Sequence, residues 1–136
     1  MPAEGRLLAV VWGEKHIGLA VTDPTRTIAQ PLATLTRRAG RRFPLRQLRV
    51  WLDEYTPTGI VVGLPLTPEG AEGPAALAAR AAADLIAAKT GLPVELVDER
   101  MTTAQAARAD AVGGRVDRDQ RAAAILLQAY LERARR

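Results

Sequence analysis

The sequence contains no cysteine and no serine, and His16 is its single histidine. The lack of cysteine excludes a disulfide framework, a thiolate zinc site and a thiol nucleophile. The lack of serine excludes hydrolysis by a serine triad. The apolar run at 7–12 is far shorter than the roughly 20 residues needed to span a bilayer, and no cationic signal-peptide start precedes it. We therefore expect a soluble, cytoplasmic protein with no membrane association.

The length and the charge of the chain indicate how many domains it has and what kind of partner it binds. The 136 residues predict one domain, 1–136, and the 48% hydrophobic and 4% aromatic content predicts an aliphatic core. The net charge is +4, and because Lys15 and Lys89 are the only lysines, 17 of the 19 basic residues are arginine. The planar guanidinium suits phosphate, which favours a polyanionic partner. Genome composition is the alternative explanation of the arginine content.

Apolar runs bounded by turn residues predict five strands, at 7–12, 17–21, 28–35, 59–65 and 93–98. The first run is apolar throughout, as expected for a strand buried on both faces. A turn at 13–18 should join it to the second strand as a hairpin. Pro31 confines the third strand to an edge position or a bulge.

Four helices are predicted, at 41–55, from Pro74 to just before Gly91, at 102–112, and from about Asp119 onward. Apolar spacings of three and four mark the first helix, and proline and glycine mark the ends of the second. Three strands followed by alternating helix and strand indicate a mixed α/β sheet flanked by helices.

Two carboxylates, Asp98 and Glu99, follow the last predicted strand. Open α/β sheets bind ligands at the carboxyl ends of their strands, so these residues are candidate functional groups. The alternative is structural, with Asp98 capping the next helix and Glu99 paired with Arg100.

Asp119 shares a helical stripe with Ala123, Leu127 and Tyr130 and is therefore predicted to face the sheet. A charge aimed at a core needs a partner, and a divalent metal shared with Glu99 would supply one. A simple N-cap is the alternative.

The segment 13–18 carries two glycines, but no Lys-Ser or Lys-Thr follows, so it is not a nucleotide-binding P-loop. Its backbone amides and Lys15 are placed to approach a phosphate.

The sequence resembles the YqgF family in four blocks that occur in order. They are Gly13–Pro24, Ile60–Leu66 followed by Glu69-Gly70 and Glu72-Gly73, Val97–Thr103, and Asp119 with Ala122–Gln128. The resemblance implies an RNase H-like fold related to Holliday-junction resolvases. It also implies a nuclease that processes the 5′ end of pre-16S rRNA during ribosome biogenesis. With the element order, it predicts three antiparallel strands and two more parallel to the first.

By the same resemblance, the acidic site combines an aspartate on the first strand, the glutamate of Asp-Glu-Arg, and the aspartate opening the last helix. The second and third fall on Glu99 and Asp119, which become the expected catalytic residues and ligands of Mg²⁺ or Mn²⁺. The first falls on Val11, so a carboxylate is missing there. Glu14 and Asp23 are the alternative ligands. The site requires the strands of Val11 and Glu99 to be neighbours.

Basic residues near these motifs are the expected phosphate contacts: Lys15, Arg42, Arg46, Arg49, Arg100, Arg115, Arg118 and Arg121. The partner is then RNA, such as pre-rRNA, or structured DNA, bound by a monomer or homodimer. Two alternatives stay open. One is that the chain is a catalytically weakened nucleic-acid-binding protein, which Val11 favours. The other is that it is a DNA nuclease of the Holliday-junction-resolvase type.

Overall fold

A computed structural model describes residues 4–12, 16–36, 43–67, 69–99 and 118–134. These residues form five strands and three helices. The strands are β1 (Leu7–Trp12), β2 (His16–Thr22), β3 (Ala29–Thr36), β4 (Gly59–Leu64) and β5 (Val94–Asp98). The helices are α1 (Leu45–Tyr55), α2 (Pro74–Thr90) and α3 (Arg118–Ala134). The helix predicted at 102–112 lies outside the described residues. In the described ranges, every helix is too short or too polar to cross a membrane.

The strands form one sheet in the order β3-β2-β1-β4-β5. The pairs β1–β2 and β2–β3 are antiparallel, whereas β1–β4 and β4–β5 are parallel. The predicted mixed five-stranded sheet is therefore confirmed. Pro31 lies on the edge strand β3 and also at a bulge, where the register shifts between Leu19 and Ala20. A proline is tolerated there because its missing N–H removes no bond from a central strand.

Helices cover the sheet on both faces. Alternate residues of β1 point to opposite faces of the sheet. Leu8 and Val10 pack in the hydrophobic cluster that includes residues of α1 and α2. Leu7, Ala9 and Val11 pack in the cluster that includes residues of α3. Buried aliphatic residues on both sides explain why β1 is apolar at every position. The two faces are called the α1/α2 face and the α3 face below.

Proline and glycine set the helix ends. Helix α1 begins at Leu45 and not at 41, because Pro44 precedes it in a non-helical conformation and also restricts residue 43. Helix α2 begins with Pro74 and ends at Thr90, where Gly91 caps it in a left-handed conformation with a φ of 74°. The predicted limits of α2 are thus confirmed.

Candidate functional site

Four residues form a row on the α3 face of the sheet, near the carboxyl ends of the parallel strands β1, β4 and β5. Val11 pairs with Gly18 of β2. On its other side, the parallel register that pairs Val10 with Val62 brings Gly63 of β4 beside Val11, and Gly63 pairs with Val97 of β5. Val11 is therefore flanked on both sides by glycines, which leave the surface of the sheet open at those two places.

Glu99 fills the opening over Gly63. A Cβ added to Gly63 would lie 2.6 Å from Oε1 of Glu99 and 3.0 Å from its Cγ. The Glu99 side chain is half-buried, and its Oε1 atom is buried. The expectation that Val11 and Glu99 lie on neighbouring strands is wrong, since β4 separates them. The neighbouring strands that the site was expected to require are therefore absent, but the missing side chain at Gly63 leaves room for the Glu99 side chain over β4, the strand next to Val11.

Asp119 lies over the other opening, at Gly18. A Cβ on Gly18 would collide with the main-chain carbonyl of Asp119 and lie 2.9 Å from the nitrogen of Gln120. The first turn of α3 therefore rests directly on the backbone of β2. Asp119 itself is half-buried, and Ala123 and Leu127 of its helical stripe are fully buried, as predicted.

The environment of Glu99 favours its neutral form. Burial, and secondarily the charge of Asp98, raises the pKa of Glu99 from 4.5 to about 7. A buried carboxylate close to a second acid is stabilised in its ionised form by a cation. The combination of a carboxylate with a perturbed pKa and a second acid at the ends of parallel strands is characteristic of functional sites.

Val11 occupies the centre of this arrangement as a core residue. It is 5% exposed and packs with Ala9, Val61 and Leu127. Among the described residues, no group of three or more histidine, cysteine or acidic side chains is placed to hold a metal ion. Glu99 and Asp119, called the acidic pair below, lie over the two glycines beside Val11, Glu99 with its side chain over Gly63 and Asp119 with its main chain over Gly18.

Asp23 does not join the acidic pair. It follows β2 at the opposite end of the sheet, where Thr22 is close to Leu7. Its carboxylate accepts hydrogen bonds from the backbone N–H groups of Thr25, Thr27 and Ile28. These bonds, led by that from Ile28, hold the pKa of Asp23 well below its usual range. Asp23 therefore organises its own turn. Glu14, the other alternative ligand, lies outside the described residues.

The predicted phosphate contacts fall into two described groups. Arg118 and Arg121 lie in the first turn of α3 beside Asp119. Arg46 and Arg49 lie on α1, across the sheet from the acidic pair, and Arg49 donates a hydrogen bond to the carbonyl of Lys89 at 2.9 Å. The remaining members, Lys15, Arg42, Arg100 and Arg115, lie outside the described residues. Of the described set, only the two arginines of α3 belong to the helix that carries Asp119 and lies on the same face of the sheet as Glu99.

Sequence reasoning missed the role of the two glycines. Gly18 and Gly63 sit inside apolar strands, where glycine lowers stability unless another group approaches the backbone closely. That pattern was the available signal for both contacts.

The family model of RuvX, described as Holliday junction resolvase, matches residues 5–133. The chain belongs to the RuvX family. Among its relatives, a protein of Streptomyces avermitilis is 43% identical over 96% of this chain and 88% of its own length. A second relative, from Dictyoglomus thermophilum, is 37% identical over 93% of this chain and 95% of its own. Both are named as candidate pre-16S rRNA nucleases.

Solved structures share the RuvX chain's fold. RuvC of T. thermophilus, in complex with a Holliday junction substrate, superposes with a TM-score of 0.66 at 16% identity, over 96% of this chain and 95% of RuvC. YeaZ from Pseudomonas aeruginosa superposes with a TM-score of 0.53 at 20% identity, over 83% of this chain and 56% of its own. The RNase H-like fold predicted from the sequence is confirmed.

Proposed function

We propose that this RuvX family member is a metal-dependent nuclease that hydrolyses phosphodiester bonds of RNA, with pre-16S rRNA as its substrate in the cytoplasm. The observation that carries the proposal is the placement of Glu99 and Asp119 over the two glycines that flank Val11. The family and the names of the relatives supply the reaction and the substrate.

The acidic pair fits a magnesium or manganese ion by its chemistry. Both side chains offer carboxylate oxygens, which these hard cations prefer, and magnesium commonly uses one or two protein carboxylates with water and substrate phosphate as its other ligands. A bound ion would stabilise the charge that develops on the phosphate and activate the attacking water. Burial of Glu99 supports this assignment, because a cation would compensate its ionised form.

The positive residues would bind the substrate backbone. Arg118 and Arg121 belong to the same first turn of α3 as Asp119, which supports a role for them in holding phosphates near the acidic pair. Contacts of this kind fix the register of a nucleic acid and carry no sequence information. We therefore expect cleavage to depend on the shape of the substrate more than on base identity.

Cleavage of labelled single-stranded RNA by purified protein with Mn²⁺ or Mg²⁺ tests the proposal. Glu99→Gln keeps the size of the side chain and removes its charge, so it should abolish cleavage. Glu54→Gln makes the same change on the exposed surface of α1 and should cleave like the native protein. Equal cleavage by native protein and Glu99→Gln would reject the assignment of Glu99.

A catalytically weakened nucleic-acid-binding protein is the second candidate function. Val11 favours it, because a buried valine stands where the family resemblance expects a carboxylate. Tight binding of RNA without metal-dependent cleavage of RNA or of a four-way DNA junction would establish this alternative. Cleavage of the junction alone would indicate a DNA nuclease of the resolvase type.

A further inference from the structure

Gln120, which follows Asp119 in the first turn of α3, forms a hydrogen bond to the edge strand β3. Its Nε2 atom donates to the hydroxyl oxygen of Thr34 at 3.0 Å. Thr34 pairs with Gly18 of β2, and the main chain at Asp119 and Gln120 lies directly over Gly18. The bond therefore fastens α3 to the sheet at the place where its first turn rests on β2.

Hydrogen bonds further along α3 reach both edges of the sheet. Oε1 of Gln128 accepts a hydrogen bond from the N–H of Ala29 on β3 at 2.8 Å, so Gln120 and Gln128 both reach toward β3. The hydroxyl of Tyr130 donates a hydrogen bond to the carboxylate of Glu95 on β5. Because β3 and β5 are opposite edges of the sheet, these bonds together fix the rotation of α3 about its own axis.

The rotation of α3 determines where the side chain of Asp119 points. Asp119 and Tyr130 are 11 residues apart, which at about 3.6 residues per turn separates them by roughly 20° around the helix axis. Asp119 therefore projects from the side of α3 that reaches toward β5. Glu99 immediately follows β5 and lies over Gly63 of β4. The carboxylate of Asp119 is thus directed to the part of the sheet on which Glu99 lies.

We propose that Gln120 is a positioning residue: its hydrogen bond to Thr34 holds the first turn of α3 in the rotation that directs Asp119 toward the other member of the acidic pair. This inference rests on the proposed function, in which the acidic pair binds a metal ion. The Gln120 bond lies in the same turn as Asp119, whereas the other two bonds lie more than two turns further along α3. A group that orients a metal ligand changes metal affinity without contacting the metal.

Mn²⁺ binding without nucleic acid tests the proposal independently of cleavage, with free Mn²⁺ measured by electron paramagnetic resonance. Thr34→Val keeps the branched shape of the side chain on β3 and removes the hydroxyl that accepts the bond. We expect Mn²⁺ affinity to fall about fivefold, the scale of one hydrogen bond between neutral groups. Thr34→Ser retains a hydroxyl and should bind Mn²⁺ like native protein. An affinity of Thr34→Val within twofold of native would overturn the proposal.

Gln120→Leu removes the donor of the same bond and should weaken Mn²⁺ binding as much as Thr34→Val does. The double variant should bind Mn²⁺ no more weakly than either single variant, because both changes remove one interaction. Fully additive losses would overturn the proposal. If Thr34→Val does not fold, the affinity of Gln120→Leu decides by the same twofold criterion.

Gln128→Leu is the matched control, because it removes another hydrogen bond between α3 and β3, at the far end of the helix. Its unfolding temperature should fall, and its Mn²⁺ affinity should equal that of native protein. An equal loss of Mn²⁺ affinity in Gln128→Leu and Gln120→Leu would show that any weakening of α3 has this effect, which overturns the positioning role. Native protein that binds no Mn²⁺ would instead overturn the proposed function, on which this inference rests.

Discussion

Gly63 lies directly under the carboxylate of Glu99, close enough that a Cβ on Gly63 would be 2.6 Å from Oε1. The two residues belong to neighbouring parts of the sheet, since Glu99 immediately follows β5 and β5 pairs with β4. A glycine in a central strand therefore decides where the acidic side chain of the site lies.

Gly63→Ala should displace the Glu99 carboxylate and lower metal-dependent cleavage at least tenfold. The added methyl overpacks the site and should reduce the free energy of unfolding by about 1–3 kcal/mol. Cleavage assays and denaturant unfolding measure the two effects. Gly73→Ala is the control, because a Cβ there meets only Thr67, at 3.9 Å. Adding Glu99→Asp to Gly63→Ala shortens the carboxylate and should recover activity, and a double variant no better than the single one contradicts this account.

The stability of the metal-free protein should fall as pH rises from about 4.5 to above 7. Burial, then the charge of Asp98, raises the pKa of Glu99 to about 7, so between these values the folded state holds a proton that the unfolded state has lost. Protonation of Glu99 contributes to the free energy of unfolding in full below about pH 4.5, and this contribution is lost as pH rises through 7. The free energy of unfolding should change by on the order of 1–3 kcal/mol. Urea unfolding at pH 5 and pH 8 in EDTA measures it.

Glu99→Gln is the comparison for this pH effect, because the amide does not titrate. The difference in unfolding free energy between pH 5 and pH 8 should be smaller in Glu99→Gln than in native protein. An identical pH dependence in the two proteins would show that Glu99 ionises at its ordinary pKa.

Local signals in the sequence predicted much of the fold. Pro74 and Gly91 gave the limits of α2, and Pro31 gave the edge position and the bulge of β3. The path of Glu99 over Gly63 could not be predicted in the same way, because it depends on β4 lying between β1 and β5. Strand order is set by packing between distant segments, whereas caps and turns are set by neighbouring residues.

Val11→Asp should raise metal-dependent cleavage and lower the stability of the metal-free protein. The new carboxylate would lie between the positions of Glu99 and Asp119 and add a third oxygen ligand. Burying it without metal should cost about 1–3 kcal/mol of unfolding free energy. Mn²⁺ should restore part of this loss, since a ligand that binds only the folded state stabilises it.

Thermal unfolding with and without Mn²⁺ checks the effect of Val11→Asp, with Val11→Asn as the control. The asparagine has the same shape as aspartate but no charge, so it should lose stability and regain less of it with metal. Equal recovery of the two variants would show that position 11 does not contribute a metal ligand.

The arginines of α3 should contribute more to RNA binding than those of α1. Arg118 and Arg121 adjoin Asp119, whereas Arg46 and Arg49 lie across the sheet. On a plot of log affinity against log salt concentration, each phosphate contact to single-stranded RNA contributes a slope of about −0.7. Replacing both α3 arginines with alanine should flatten that slope by up to about 1.4, and replacing both α1 arginines should leave it unchanged. The reverse result would place the phosphate path on the α1/α2 face.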